Sequence, residues 1–388
     1  MTMERRIGFF GGARPGPLVV CVGGIHGNEP SGVLAARAVL EKLENGRPGF
    51  RGELVALAGN LSALAQERRF VERDLNRHWI PDRIEALRSG RIADANGPED
   101  VEQRELLAAM EEALARHPGG AIFLDLHTSS AFGPPFLTIG DTLQNRHFAL
   151  KLSIPVVLGL EEQIDGPLLE YVNNLGHVTI GVEGGQHKAP EAASNLEAVL
   201  WQALVAAGNL APSSVPEGEF HRERLANAVR GIPRVLEARY RHSIAPEDGF
   251  RMSPGYRNLS PVARGEIVAH DRSGPLRTRE AGWLLLPLYQ NLGSDGFFLA
   301  REVGPLDLKL SSGLRRLGLP SVAHWLPGVR RHPRLDGVLM VNTRVARIYP
   351  EELFHLLGFR KRRVQGDWLV VSRRRQIQTR GQRAARAY

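Results

Sequence analysis

Short apolar runs alternate with longer segments of helical spacing through the first half of the chain. The run "PLVVCVGG" (17–24) reads as a buried strand, being short, Val-rich and free of polar residues. Pro30 and the following "SGVLAARAVLEKLENG" predict a helix, with Pro near the first turn and Gly46 past the end. "GELVALAGN" (52–60) predicts a second strand and "LSALAQER" a short helix. "PEDVEQRELLAAMEEALARHPGG" (98–120) is the clearest helix, with early acids, apolar residues at helical spacing and a Pro-Gly-Gly stop. "AIFLDLHT" (121–128), "SIPVVLG" and "HVTIGVEGG" (177–185) read as strands, while "GPLLEYVNNLG" and "APEAASNLEAVLWQALVAAGNL" read as helices. Strands and helices in alternation, joined by crossovers of this length, predict an α/β fold: a three-layer α/β/α arrangement around a mixed, mostly parallel sheet.

The texture changes after "APSSVPEGE" (211–219). Short alternating segments such as "GEIVAH", "GWLLLPLY" and "GFFLARE", separated by Gly, Asp and Asn, predict a smaller β-rich domain. The expected division is therefore 1–210, 211–304 with β character, and a C-terminal extension 305–388 that mixes helical pieces with a last strand, "DWLVVS".

Charge changes the picture only at that end. The net charge is +8, but residues 359–388 carry ten Lys or Arg against Asp367 alone, which leaves residues 1–358 at −1. The runs "RKRR" and "SRRRQIQTRGQRAAR" could neutralise phosphates of a nucleic acid or an anionic membrane surface. Without stacking aromatics, a solvated tail or a subunit contact suits them equally, so nucleic acid is not the expected partner although the tail leaves it open. The single cysteine, Cys21, excludes an intrachain disulfide and lies inside an apolar run as core filler. No run of about 20 apolar residues is present, so no membrane span is expected and a cytoplasmic protein is the default.

Candidate chemistry gathers at strand ends, where α/β sheets place their sites. His26 and Glu29 follow the first strand in "GGIHGNEPSG", whose glycines argue for a tight loop rather than a helix. His127 follows "FLDL" and Glu183 follows "TIGV". Two imidazoles and a carboxylate form a common catalytic zinc set that leaves a coordination position for water, and a second carboxylate could take that water's proton. A lone His-x-x-Glu arises by chance in many chains; the coincidence of three strand ends carries the reading. Between them lies the polar loop "RRFVERDLNRHW" (68–79), where Arg69 and Arg77 could bind a carboxylate or polarise a carbonyl.

Taken in order, "GGIHGNE", "RRFVERDLNR", "LDLHTS" and "GVEGG" resemble the aspartoacylase/succinylglutamate desuccinylase family, a branch of the zinc carboxypeptidase-like fold. The resemblance covers roughly residues 17–207, and the segment 261–302 resembles the small β-domain that follows in these proteins. It implies one Zn2+ per subunit held by His26, Glu29 and His127. It also implies Glu183 as general base and then acid, Arg69 on the scissile carbonyl, and Asn76 and Arg77 on a substrate carboxylate. The implied activity is zinc-dependent hydrolysis of the amide bond of a small-molecule, N-acyl amino acid-like substrate. A metallocarboxypeptidase acting on short peptides, and a catalytically inactive binding module with a nucleic-acid-binding tail, stay open beside it, as does a homo-oligomer. One departure stands out: the Arg that grips an acidic moiety in aspartoacylases, about ten residues before the Glu, has no counterpart in "GPLLEYVNNLGHVTIGVE", where the position falls near Asn173. Tyr171 in that helix reads as packing, and His187 is an extra polar group close by.

Overall fold

The computed structural model describes residues 4–92, 97–290, 292–333, 337–342, 351–365 and 367–373. The first half runs β1 (Arg6–Gly11), β2 (Arg14–Gly23), α1 (Ser31–Gly46), β3 (Arg51–Ala58), α2 (Leu61–Ala65), α3 (Pro81–Arg88), α4 (Pro98–Ala115), β4 (Ala121–Ser129), β5 (Phe136–Ile139), α5 (Leu143–Ala149), β6 (Val156–Leu158), α6 (Leu168–Asn174), β7 (Val178–Gln186), α7 (Pro190–Ala207) and α8 (Gly218–Ala228). It continues with β8 (Val235–Ser243), β9 (Arg251–Met252), β10 (Ser260–Val262), β11 (Ile267–Asp271), β12 (Gly274–Arg277), β13 (Gly282–Leu285) and β14 (Asp295–Glu302). The extension holds α9 (Pro305–Arg316), α10 (Leu319–Val322), β15 (Val329–Arg331), β16 (Val338–Asn342), α11 (Glu351–Leu356), β17 (Lys361–Gln365) and β18 (Trp368–Ser372).

Eleven strands form one mixed sheet in the order β1-β3-β2-β4-β7-β5-β6-β8-β14-β13-β10. Strands β3, β2, β4 and β7 are mutually parallel, so their carboxyl ends open on one edge. Strand β5 enters antiparallel to β7, and β6 and β8 then run parallel to β5 in turn. Beyond β8 the pairing is antiparallel, through β14, β13 and β10. The short strands read from the sequence after residue 211 thus split: β8, β10, β13 and β14 extend the large sheet, while β9, β11 and β12 form a separate three-stranded one.

Why "PLVVCVGG" is apolar without alternation is visible in its packing. Side chains alternate faces along a strand. Val19 and Cys21 face a core shared with Val39 of α1 and Leu196 and Trp201 of α7, and Val20 and Val22 face a second core with Ile84, Leu106 and Leu168 of α3, α4 and α6. Both faces are covered by helices, as central parallel strands require. Cys21 is fully buried, and burial pushes its thiol up to about 12, so it is core filler rather than a nucleophile. Strand β1, which the charged start of the chain concealed, pairs antiparallel with β3 at the sheet edge.

The extension docks through buried ions, which corrects the reading of "RKRR" as a solvated run at its first residue. Arg360 is 8% exposed and its guanidinium meets both Asp141 and Glu237. Arg315 Nη2 donates to Asp141 Oδ2 at 2.7 Å and Arg146 Nη2 to the same oxygen at 2.9 Å. Arg146 Nη1 also reaches Ser311 Oγ at 3.1 Å, which donates to the Leu356 carbonyl at 2.7 Å. Helix α9 therefore turns Ser311 and Arg315 inward, while Leu306 and Leu310, and Leu317 just past its end, face solvent. The Arg-rich run beyond Arg373 lies outside the described residues. No helix among the described residues is long and apolar enough to cross a membrane.

Burial pushes the Asp141 carboxyl up, but Arg146, Arg315 and Arg360 outweigh it and hold the group well below the usual carboxylate range. Its stabilisation is therefore fully present above the unfolded-state value of about 3.9 and is lost as pH falls toward the lower folded value. Asp141→Ala leaves three buried guanidinium groups without this partner, and we expect a loss of about 3–5 kcal/mol in urea unfolding at neutral pH. The loss should shrink in titrations at acid pH, with the extension cut first in limited proteolysis.

Candidate metal centre

The loop after β2 is shaped by two glycines. Gly24 takes φ +72°, which side-chain-bearing residues rarely adopt, and a Cβ on Gly27 would lie 2.0 Å from the Ala63 carbonyl carbon. This turn brings His26 and Glu29 back over the ends of the parallel strands, where both are buried. On the next strands His127 of β4 and Glu183 of β7 occupy paired register positions. Both lie in the carboxyl-terminal halves of their strands, inside the segments read as strands from the sequence. The polar loop 68–79 is pinned from below by Glu99 at the start of α4, which accepts from the Val71 and Glu72 amides at 2.7 and 3.2 Å. An acid that marked a helix start in the sequence thus also fixes the loop bearing Arg69, Asp74, Asn76 and Arg77.

The geometry converges on Glu29. His26 Nδ1 lies 2.9 Å from Glu29 Oε1, and His127 Nδ1 lies 3.1 Å from Glu29 Oε2. The Thr128 amide donates to Glu29 Oε2 at 2.9 Å. One donor atom from each of His26, Glu29 and His127 falls within 4.8 Å of the others, a group that could hold a metal ion. The outer nitrogens are held by carboxylates: His26 Nε2 is 3.2 Å from Asp74 Oδ1, and His127 Nε2 is 2.8 Å from Asp125 Oδ2. Metal-binding histidines are oriented in this way, with the second ring nitrogen donating to a carboxylate. Asp125 and Glu183 each keep one buried carboxylate oxygen, Oδ1 and Oε2, without a hydrogen-bond partner. Four carboxylates around two imidazoles and one guanidinium, with two orphaned oxygens, suit a divalent cation, and the His-Glu-His set suits zinc.

Electrostatics follow from this crowding. Burial pushes Glu29 up, but His26 and His127 outweigh it and hold it well below the usual carboxylate range. Burial acts against His127 protonation, yet Asp125 and Glu29 raise it well above the usual imidazole value. Glu183 is pushed up to about 8, first by burial and then by Glu29 and Asp125, against the opposing pull of His127 and Arg69. Arg69 is buried, with Nη2 donating to Asp74 Oδ2 at 3.0 Å and Nη1 3.7 Å from Glu29 Oε1.

His26, Glu29, Arg69, Asn76, Arg77, His127 and Glu183 all line one cavity of about 970 Å3, part of it open to solvent. Asn76 is committed to the framework: its Oδ1 accepts from the Leu168 amide at 2.8 Å and its Nδ2 sits 3.4 Å from His127 Nε2. Arg77 reaches Asp295 of β14 at 3.4 Å. Tyr171 is packing, its ring 5.9 Å from Trp79 and its hydroxyl accepting from Arg88 at 3.0 Å. His187 does line the cavity, its Nδ1 2.8 Å from Thr128 Oγ1 and its Nε2 3.3 Å from Gln290 Oε1. Sequence reasoning missed Asp125, Gln290 and Asp295. Asp125 had a signal, standing two residues before His127 on the same strand face; the other two had none.

Fold and site together define a mixed α/β protein with a candidate metal centre at the carboxyl edge of its parallel strands. Residues 15–204, just under half of the chain, match the succinylglutamate desuccinylase/aspartoacylase catalytic domain, and this region is similar to that family's catalytic domain. A succinylglutamate desuccinylase of Pseudomonas paraeruginosa is 30% identical over 106 residues, 27% of this chain and 29% of the relative; the chain thus matches under a third of that relative's length. Among solved structures, a succinylglutamate desuccinylase/aspartoacylase from Rhodobacter sphaeroides is similar at TM-score 0.53 and 18% identity, over 75% of this chain and 87% of that one. The product-bound ectoine utilization protein from Ruegeria pomeroyi is similar at TM-score 0.52 and 19% identity, over 75% and 86%. At these identities the structures speak for the fold.

Removing the support behind His127 tests the centre. Asp125→Ala should weaken zinc binding about 10–100-fold in chelator competition, and Glu29→Ala should abolish it. Tyr171→Phe should leave it unchanged.

Proposed function

We propose that this protein is a zinc-dependent hydrolase that cleaves the amide bond of an N-acyl amino acid or a similar small carboxylate-bearing amide. The observation that carries the reading is the orientation of the two histidines, both Nδ1 atoms toward Glu29 and both Nε2 atoms on carboxylates. His26, Glu29 and His127 would hold one Zn2+, which supplies Lewis acidity and lowers the pKa of a coordinated water to about 7.

The remaining chemistry belongs to the chain. Glu183, with an unpartnered oxygen beside this group, takes a proton from the attacking water and passes it to the departing amine, which cannot leave as an amide anion. Arg69 is fixed by Asp74 and favours the oxyanion over the neutral carbonyl, so it acts on the transition state rather than on the substrate. Arg77 takes the substrate's carboxylate, sharing its charge with Asp295, while Asn76 holds the loop and His127 in register. Leu286, Leu288, Gln290 and Asp295 wall the cavity on one side, and a walled cavity favours a small amide over a peptide.

Purified protein should contain about one zinc per chain by elemental analysis and hydrolyse members of an N-acyl amino acid panel. Glu183→Gln should keep the zinc and lose about 10²–10⁴-fold in kcat. Retained activity in that variant, or cleavage of short peptides in preference to the panel, would sink the assignment.

A further inference from the structure

The cavity carries a second message about what it accepts. Its lining Lys and Arg side chains among the described residues are Arg69 and Arg77, and each already faces carboxylates: Arg69 meets Asp74 and Glu29, and Arg77 shares Asp295 with Arg241. No other Lys or Arg lines it among the described residues. Asn173, the residue near the family's missing Arg, is 3% exposed and donates to the His177 carbonyl at 3.0 Å, away from the cavity. What fills the wall instead is apolar: Leu169 of α6, Leu160 and Ile164 from the segment after β6, Leu286 and Leu288 from the connection after β13, and Phe298 of β14. Glu161 and Asp295 add two further carboxylates to the lining.

We infer that the substrate carries a single carboxylate and an apolar side group, so that N-acyl derivatives of aliphatic or aromatic amino acids are preferred over those of acidic ones. This rests on the amide-hydrolase reading above. One carboxylate can be matched by Arg77 in fork geometry. A second carboxylate in the side group would leave water for a wall of leucines and a phenylalanine, where no lining Lys or Arg among the described residues lacks a carboxylate partner, and an unpaired buried charge is strongly disfavoured. An aliphatic or aromatic group gains from the same wall, because removing apolar surface from water is favourable. The relative's name, succinylglutamate desuccinylase, describes a substrate with several carboxylates, and the wall of this cavity is unsuited to it.

The test pairs turnover with binding. Wild-type zinc protein is assayed on N-acetyl-leucine and N-acetyl-phenylalanine against N-acetylaspartate and N-succinylglutamate, and calorimetry measures binding of the same four to zinc-loaded Glu183→Gln. We expect kcat/KM and affinity to favour the apolar pair by about tenfold or more. Leu288→Arg, checked for folding by circular dichroism, should supply the missing cation and narrow that ratio about tenfold. Equal or better use of the acidic pair overturns the inference, as does a ratio that Leu288→Arg leaves unmoved. If none of the four is hydrolysed, the hydrolase reading fails, and the calorimetric preference still decides the character of the pocket. Binding of none of the four overturns both.

Discussion

The carboxylate of Glu29 ties together the parts that make this chain more than a sheet with helices. Its two oxygens meet His26 from its own loop, His127 from β4 and the backbone amide of Thr128. Burying that carboxylate is costly unless opposite charge and hydrogen bonds compensate, and here the two imidazoles and the Thr128 amide do so. The close turn at Gly24 and Gly27, and the anchoring of loop 68–79 by Glu99, both serve to deliver partners to this one group.

Two buried charge clusters in the same molecule show how structure and chemistry differ. At Asp141, guanidinium groups from α5, α9 and the residue before β17 surround a carboxylate whose oxygens are fully occupied. The cluster fastens the extension to the sheet. Around His26, Glu29 and His127, one carboxylate oxygen each of Asp125 and Glu183 remains buried and unpartnered. Unsatisfied buried polar atoms are uncommon in folded proteins, and their concentration beside converging donor atoms marks a place built for something else.

The second half of the chain contributes the wall of the cavity rather than its reactive groups. Strand β14 brings Asp295 to Arg77, and the connection from β13 brings Gln290 to Asn28 and His187. Because β8, β14 and β13 continue the main sheet, Asp295 and Phe298 are carried on a strand bonded into it.

Local features of the chain carried a large share of this. The apolar runs, their lengths and the helical spacing between them specified the strands and helices around the site, since both faces of β2 and β4 must be buried. The residue types at three strand ends, with their glycines, sufficed for the candidate donor set and Glu183. What local pattern could not hold was any pairing between distant segments. The antiparallel insertion of β5 depends on hydrogen bonds that no periodicity records. The docking of Arg360 on Asp141 joins residues 219 apart, and a basic run looks alike in sequence whether solvated or buried. Asp295 on Arg77 and the leucine wall likewise became visible only when the sheet closed. Chemical identity and backbone period are properties of a residue and its near neighbours; charge compensation, orphaned atoms and pocket lining exist only between segments brought together by the fold.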